Sequence, residues 1–336
     1  MKFRKLAVFI AAPLCALGIA GGAQAETGEV TLARQFGIGY LPLTVMNVNK
    51  LVEKHLAQAG LKETKVTWAR FGSGSAANDA LLAGKLDFAS GGTGPGIILW
   101  DKTQGNYKVH GVAALSSMPN LLVTTDPKIK TIKDFTDKDK ISMAGAGSSV
   151  QTIYLQMAVS KEWGIENYKK LNSHMVNLPH PEGLNAMLSG SGGITSLFTS
   201  PPFQYTALER PGTHIVLNSY DIMGGANTFL MVWGTDTFRK ANPKTYKAVL
   251  DALKEATAWI NDNKQAAAEL YVKDVDGKGD VTKIAKMIND PEIHYTLAPE
   301  RVLPYAQFMH KIGTLKHNPA SWKDLFFPEI HDLAGS

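Results

Sequence analysis

Apolar residues along this chain switch repeatedly between a two-residue and a three-to-four-residue period. The switches mark a series of short strands and helices. Val30-Thr31-Leu32-Ala33 predicts a strand running into a glycine-rich turn from Phe36 to Pro42. Val45, Val48, Val52 and Leu56 share one face of a helix that starts near Thr44 and stops at Gly60. Val66 to Phe71 predicts the next strand, and Gly72-Ser73-Gly74-Ser75 turns it into a helix ending at Gly84. Leu86 to Ala89 predicts a third strand, followed by a loop from Ser90 to Pro95. A second block repeats the design. Ile141 to Ala144 reads as a strand and Gly145-Ala146-Gly147 as a turn. Ser148 opens a helix with Val150, Ile153, Tyr154, Met157 and Ala158 inward, stopped at Gly164. Pro181 to Gly190 then reads as a short helix and Ile194 to Phe198 as a strand before Ser200-Pro201-Pro202. Strand, turn, helix and strand at this spacing imply βαβ units and a largely parallel sheet.

Ala80, Leu82, Gly84, Ser90 and Pro95 recur 106 positions later as Ala186, Leu188, Gly190, Ser196 and Pro201. Both copies read as helix, glycine cap, strand and small-residue loop, so two α/β lobes built alike are expected. The C-terminal part reads as helical. Pro243 starts a helix with Tyr246, Val249, Leu250, Leu253 and Ile260 on one face, and further helices are expected over 265–272, 281–288, 299–312 and 322–333.

The first 25 residues change the picture of where the protein goes. Lys2, Arg4 and Lys5 precede an apolar stretch from Leu6 to Ala20, and Ala23-Gln24-Ala25 has the small-x-small form of a cleavage site. The stretch is short for a membrane span and Pro13 interrupts it. The expectation is a cleaved secretory signal peptide and a soluble periplasmic protein. Cys15 is the single cysteine and would leave with the leader; Leu14 before it does not fit a lipid-attachment signal. The mature chain then has no disulfide, thiol nucleophile or thiolate metal site. The 336-residue precursor carries a formal charge of +5, and losing the leader's three basic residues brings it near neutrality. That argues against nucleic acid as a partner. The length exceeds what a single core usually serves.

Ligands of open α/β sheets bind beyond the carboxyl ends of the strands. Those ends carry Gly39-Tyr40, Gly72 to Ser75, Gly92-Thr93-Gly94, Gly147-Ser148-Ser149 and Ser200. They are rich in glycine and hydroxyls and poor in groups that ionise. That suits a cleft gripping a small polar ligand through backbone N–H groups, hydroxyls and helix N-termini. In Gly147-Ser148-Ser149-Val150-Gln151-Thr152 either serine can cap the helix, leaving the other hydroxyl for a carboxylate or sulfonate. Tyr40, Phe203 and Tyr205 could line a pocket, and Arg70 at a strand end is a candidate cleft cation. His180 reads as an exposed helix-entry histidine that could touch a cleft ligand.

Catalytic signatures are missing. No G-x-S-x-G elbow occurs, and Gly84-Lys85 lacks the Ser or Thr of a P-loop. Gly72-x-Gly74-x-x-Ala77 matches a relaxed dinucleotide fingerprint, but it belongs to the second βα unit and Asp87 comes too early to hold a ribose. Asp274, Asp276 and Asp280 lack the terminal glutamate of a calcium loop and read as an exposed loop. No cofactor is expected.

Trp68-Ala69-Arg70-Phe71-Gly72-Ser73-Gly74, Ala80 to Phe88, Gly92-Thr93-Gly94-Pro95 and Gly145 to Ser149, in this order and spacing, resemble the periplasmic substrate-binding proteins of ABC importers in the nitrate/sulfonate/taurine class. The resemblance implies two α/β lobes, each a mixed, mostly parallel sheet flanked by helices, joined by two crossing strands, with additional C-terminal helices. It places the crossovers near Met118–Leu122 and Ser219–Asn227. The expected division is lobe 1 over 26–117 and 228–298, lobe 2 over 118–227, and C-terminal helices over 299–336 packing on lobe 1. Carried over position by position, it implies ligand contacts at Gly39, Tyr40, Ser73, Gly74, Gly92, Thr93, Ser148, Ser149 and Ser200, with Asn227 at the end of the second crossover. The implied ligand is a small organic anion and the implied partner an ABC permease in the inner membrane, with the binding protein itself a monomer. Taurine binders of this class carry an acidic residue where this chain has Gly72, so a natural partner for an ammonium is missing. A ligand-binding subunit of a sensor or of another importer type, or an exported enzyme on the same fold, stay open on the sequence.

Overall fold

The computed structural model describes residues 26–277 and 279–336. The expected signal peptide and Cys15 lie outside the described residues. The first lobe begins with β1 (Glu29–Arg34), a 3-10 turn at Ile38–Tyr40, α1 (Leu41–Val48) and α2 (Leu51–Gln58). It continues through β2 (Lys65–Arg70), α3 (Gly74–Leu82), β3 (Phe88–Gly92), α4 (Thr93–Lys102) and β4 (Val109–Ser117). The second lobe holds β5 (Leu121–Thr124), β6 (Lys140–Met143), α5 (Val150–Trp163), β7 (Met175–Asn177), α6 (His180–Ser189), β8 (Ile194–Thr199), α7 (Phe203–Leu208), β9 (His214–Asn218) and α8 (Ser219–Met223). The chain then returns to the first sheet as β10 (Thr228–Thr235). Five helices close it: α9 (Asp236–Ala241), α10 (Pro243–Asp262), α11 (Lys264–Asp274), α12 (Val281–Ile288) and α13 (Val302–Lys311).

The two five-stranded sheets have the same plan: β2-β1-β3-β10-β4 and β7-β6-β8-β5-β9. In each, four strands share one direction and the fourth in order, β10 or β5, runs antiparallel to both neighbours. That reversed strand is in both cases the one arriving from the other lobe. The 106-residue repeat therefore has a structural meaning: it superimposes α3 and β3 on α6 and β8, the same pair of elements in each sheet. Its serine is fully buried in both copies. Ser90 donates to the Ala33 carbonyl at 2.7 Å, and Ser196 to Thr124 Oγ1 at 2.9 Å.

One apolar core runs from the first sheet through α5 to β6, and a smaller one, with Leu121, Val123, Leu184, Met187 and Leu197, lies under the other face of the second sheet. Helix α10 buries Tyr246, Val249, Leu250, Leu253 and Ile260, the face its periodicity predicts.

Three local expectations need correction. The single helix from Thr44 to Gly60 is two, because Lys50 adopts a left-handed conformation that ends one run of helical bonds and starts another; Val48 beside the break is exposed rather than inward. The loop expected over Ser90–Pro95 is the end of β3 followed directly by α4, with Pro95 in the first helical turn, where its missing N–H breaks no helix bond. The C-terminal stretch 322–333 forms two 3-10 turns, Trp322–Leu325 and Pro328–Ile330, instead of a helix. Pro328 cannot donate a helical hydrogen bond there. The sheets are mixed and mostly parallel, as expected; which strand is reversed was not legible, since β10 reads as a uniformly apolar run with no alternation to announce it. No helix among the described residues is long and apolar enough to cross a membrane.

Candidate ligand-binding cleft

Three helices, α3, α4 and α5, start just beyond the carboxyl ends of β2, β3 and β6 and bring their N-termini to the contact between the lobes. Ser73 caps α3, accepting from the Ala76 amide at 3.3 Å, and its hydroxyl also bonds that of Ser75 at 3.1 Å. Gly74 follows because a Cβ there would come within 2.9 Å of the Pro95 ring. Helix α5 is capped by Ser149, which accepts from the Thr152 amide at 3.2 Å and bonds the Thr152 hydroxyl at 3.0 Å. The choice between the two serines is thus made in favour of Ser149. Ser148 stays half-buried beside it, its amide donating to the Gly145 carbonyl at 3.1 Å. Helix α4 differs: its N-cap is Gly92, which has no side chain to satisfy the first-turn amides.

Helices α4 and α5 meet across the cleft. A Cβ on Gly92 would lie 3.1 Å from the Val150 side chain. One on Gly94 would lie 2.8 Å from the Ser148 carbonyl oxygen and 2.9 Å from the Tyr305 hydroxyl of α13. One on Gly145 would lie 3.3 Å from Ser73 Cβ. Each helix N-terminus carries a partial positive charge, so two like poles face one another here. Thr93 Oγ1 and Tyr305 Oη, both buried at this contact, have no hydrogen-bond partner among the described residues, and neither has Ser200 Oγ. Tyr305 and Thr93 are near neighbours: burial drives the Tyr305 phenol well above its usual range, and Thr93 offsets a little of that, yet the two complete no hydrogen bond.

The structure brings together Ser73, Gly74, Gly92, Thr93, Ser148 and Ser149. The other four expected contacts are elsewhere. Gly39 and Tyr40 lie inside the first lobe, where the Gly39 carbonyl accepts from Ser116 Oγ at 3.1 Å and burial raises the Tyr40 phenol's pKa. Asn227 is buried in the crossover, accepting from the Tyr154 hydroxyl and donating to the Gly225 carbonyl at 3.1 Å. Ser200 lies on the second lobe beneath the turn at Gly37, where the Ile38 amide donates to the Pro201 carbonyl at 3.3 Å.

Further along the cleft the lobes enclose a cavity of about 490 Å3. Phe36, Arg70, Tyr271, Ile284 and Met287 line it from one side, and Pro181, Leu184, Pro202 and Phe203 from the other. None of the ten residues carried over from the resemblance lines it; Phe203 and Arg70, read separately as an aromatic wall and a cation, do. Arg70 reaches over the Phe36 ring, 5.3 Å from its centroid, and shares Asp274 with Arg34 at 3.3 and 2.5 Å. Asp276, Asp280 and Glu209 line the same cavity with Lys283, so carboxylates outnumber cations on its wall and Arg70 is held by Asp274. The sequence carried no sign that α11 and α12 would close this cavity, because their apolar faces look like ordinary core faces. His180 is buried rather than exposed. It bonds Thr199 Oγ1 at 2.7 Å and stacks on Phe203, and burial lowers its pKa to about 4, so it is neutral. Tyr205 lines a separate shallow groove with Met287 and Lys286. Among the described residues no three His, Cys, Asp or Glu side chains are grouped to hold a metal ion.

Comparison with solved structures places this architecture among periplasmic binding proteins. The alkanesulfonate-binding protein SsuA from Xanthomonas axonopodis pv. citri bound to MOPS matches with a TM-score of 0.69 at 13% identity, over 88% of this chain and 96% of that one. The aliphatic sulphonate binding protein SsuA from Escherichia coli matches at 0.63 and 16% identity, over 90% and 92%. The nitrate-binding protein NrtA from Synechocystis PCC 6803 matches at 0.65 and 16% identity, over 88% and 83%. At these identities the likeness shows a shared fold. No curated protein matches the sequence. A sequence model of the NMT1-like family matches residues 23–273, which span both sheets and the helices through nearly all of α11, and this protein belongs to that family.

Proposed function

We propose that this protein is an exported solute-binding protein that captures a small organic anion between its lobes and delivers it to an ABC importer. The observation that carries the reading is the meeting of α4 and α5. Two positive helix ends face each other across the contact between the lobes, next to buried hydroxyls with no partner among the described residues. An anion placed there gains roughly 0.3–1 kcal/mol from each dipole and satisfies the free amides of α4. Ser73, Gly92, Thr93, Ser148 and Ser149 supply this head-group site in our reading, and the cavity with Phe36, Arg70 and Phe203 takes the organic body of the ligand. The sulfonate- and nitrate-binding neighbours bind ligands of the same charge. The family and the structural neighbours favour binding over catalysis.

In this reading the lobes divide at 117/118 and 227/228, the crossovers act as hinges, and ligand closure presents a closed monomer to the permease from the periplasm. The test is a thermal-shift and calorimetric screen of refolded, ligand-free protein against alkanesulfonates, MOPS, taurine, nitrate and aromatic carboxylates, with pyrimidines as uncharged controls. A ligand at 100 times its Kd adds about 2.7 kcal/mol of stability. Binding of a sulfonate or carboxylate is the expected result; binding of uncharged compounds alone would overturn the reading.

A further inference from the structure

We propose that Tyr305, on the C-terminal helix α13 and outside both α/β sheets, donates its hydroxyl to the bound oxyanion, which makes the C-terminal segment a working part of the binding site. The inference rests on the anion-binding reading above and extends it to a residue that no sequence pattern singles out.

Tyr305 is 2% exposed, and its hydroxyl has no hydrogen-bond partner among the described residues. Leaving a buried hydroxyl unpaired is costly, and few native groups are left so. Its position says what it faces. A Cβ on Gly94, the second residue of α4, would lie 2.9 Å from Tyr305 Oη and 2.8 Å from the Ser148 carbonyl of the opposite lobe. The hydroxyl therefore sits at the uncapped N-terminus of α4, where the lobes touch. Thr93, the first residue of the same helix, leaves its own buried hydroxyl without a partner at the same place. The ring is held edge-on to Tyr154 with centroids 5.6 Å apart. Tyr154 spends its hydroxyl on Asn227 in the crossover, so of this edge-on pair it is Tyr305 whose donor has no partner among the described residues. Burial keeps that phenol protonated, a neutral donor at any physiological pH. Two buried hydroxyl donors thus lie together at the uncapped start of α4, a donor set suited to the several acceptor oxygens of a sulfonate or carboxylate.

Tyr305→Phe removes the oxygen and keeps the ring that packs on Tyr154. Calorimetry with MOPS, butanesulfonate and benzoate, together with melting of the ligand-free proteins, tests the assignment. The expected result is at least a fivefold loss of affinity in Tyr305→Phe, with a melting temperature equal to or above that of the wild type. Thr93→Val should also weaken binding. Affinity unchanged within twofold in Tyr305→Phe would overturn the inference while leaving the anion reading in place. A lowered melting temperature without loss of affinity would also overturn it, because the hydroxyl would then be a structural bond. If the wild type binds none of the three probes, the anion reading itself fails and this inference falls with it.

Discussion

Ser148 and Ser149 are neighbours in the chain with different surroundings. Ser149 is buried and its hydroxyl engages both the amide and the hydroxyl of Thr152, so its loss uncaps α5. Ser149→Ala should cost about 1 kcal/mol in urea unfolding, the usual value of an N-cap. Ser148→Ala should leave stability within about 0.5 kcal/mol, as for substitutions away from such features, and lower ligand affinity several-fold in titration calorimetry. Equal effects on stability would mean that the two serines share the cap. His180 has a different dependence on its surroundings. Its pKa is lowered to about 4 in the folded protein against about 6.5 when unfolded. The unfolded chain therefore binds the proton first as pH falls. The folded state is at its best above pH 6.5 for this group, loses stability from there down to about pH 4, and changes no further below. The loss amounts to about 3 kcal/mol. Chemical denaturation at pH 7 and pH 4.5 should show a smaller pH effect in His180→Gln than in the wild type. An identical pH effect would show that His180 is protonated without cost.

At the scale of elements, the fold depends on helices starting where strands end, and the helix starts need small residues. Gly74 is pressed on Pro95, Gly92 on Val150, and Gly94 on a carbonyl and a hydroxyl from two other elements. A methyl group on Gly94 has no flexible neighbour to push aside, since the Ser148 carbonyl is backbone. Gly94→Ala should hold α4 and α5 apart without unfolding either lobe. The expected outcome is at least a tenfold loss of affinity and a larger radius of gyration by small-angle scattering, with circular dichroism unchanged. A closed, tight-binding Gly94→Ala protein would show that the helix contact yields more easily than its geometry implies. Asp274 acts over a similar range. It joins the ends of β1 and β2 to α11 through Arg34 and Arg70, which places the C-terminal helices against the cavity.

For the whole molecule, the contact between lobes combines the helix ends, the Ile38–Pro201 hydrogen bond and an ion pair at the mouth of the cavity. Glu209 of the second lobe meets Lys283 of α12 at 2.7 Å. Both side chains are more than half exposed, so solvent screens the pair and it adds little. Lys283→Ala should therefore leave affinity nearly unchanged at 0.15 M salt and raise the ligand off-rate modestly at low ionic strength, where screening is weaker. A large loss of affinity at 0.15 M salt would make the pair a latch rather than a rim contact.

The sequence by itself determined most of the elements and the class of fold. Periodicity located β1, β2, β6, β8, α10 and α12, and small residues at strand ends located the helix starts that form the cleft. These are local properties, set by hydrogen-bonding period and by where glycine, serine and proline break it. The repeated pattern around Ser90 and Ser196 even revealed that the two lobes share one plan. What the sequence left undetermined depends on contacts between distant segments. Thr228 to Thr235 is buried on both faces and so has no alternation from which its direction or sheet could be read. The left-handed turn at Lys50 and the non-helical tail around Pro328 depend on packing that a helical pattern does not encode. Which serine caps α5, which tyrosine keeps a free hydroxyl at Gly94, and how α11 and α12 close a cavity against α6 and α7 were decided by tertiary structure alone. Each depends on the direction of a side chain across an interface between parts of the chain far apart in sequence.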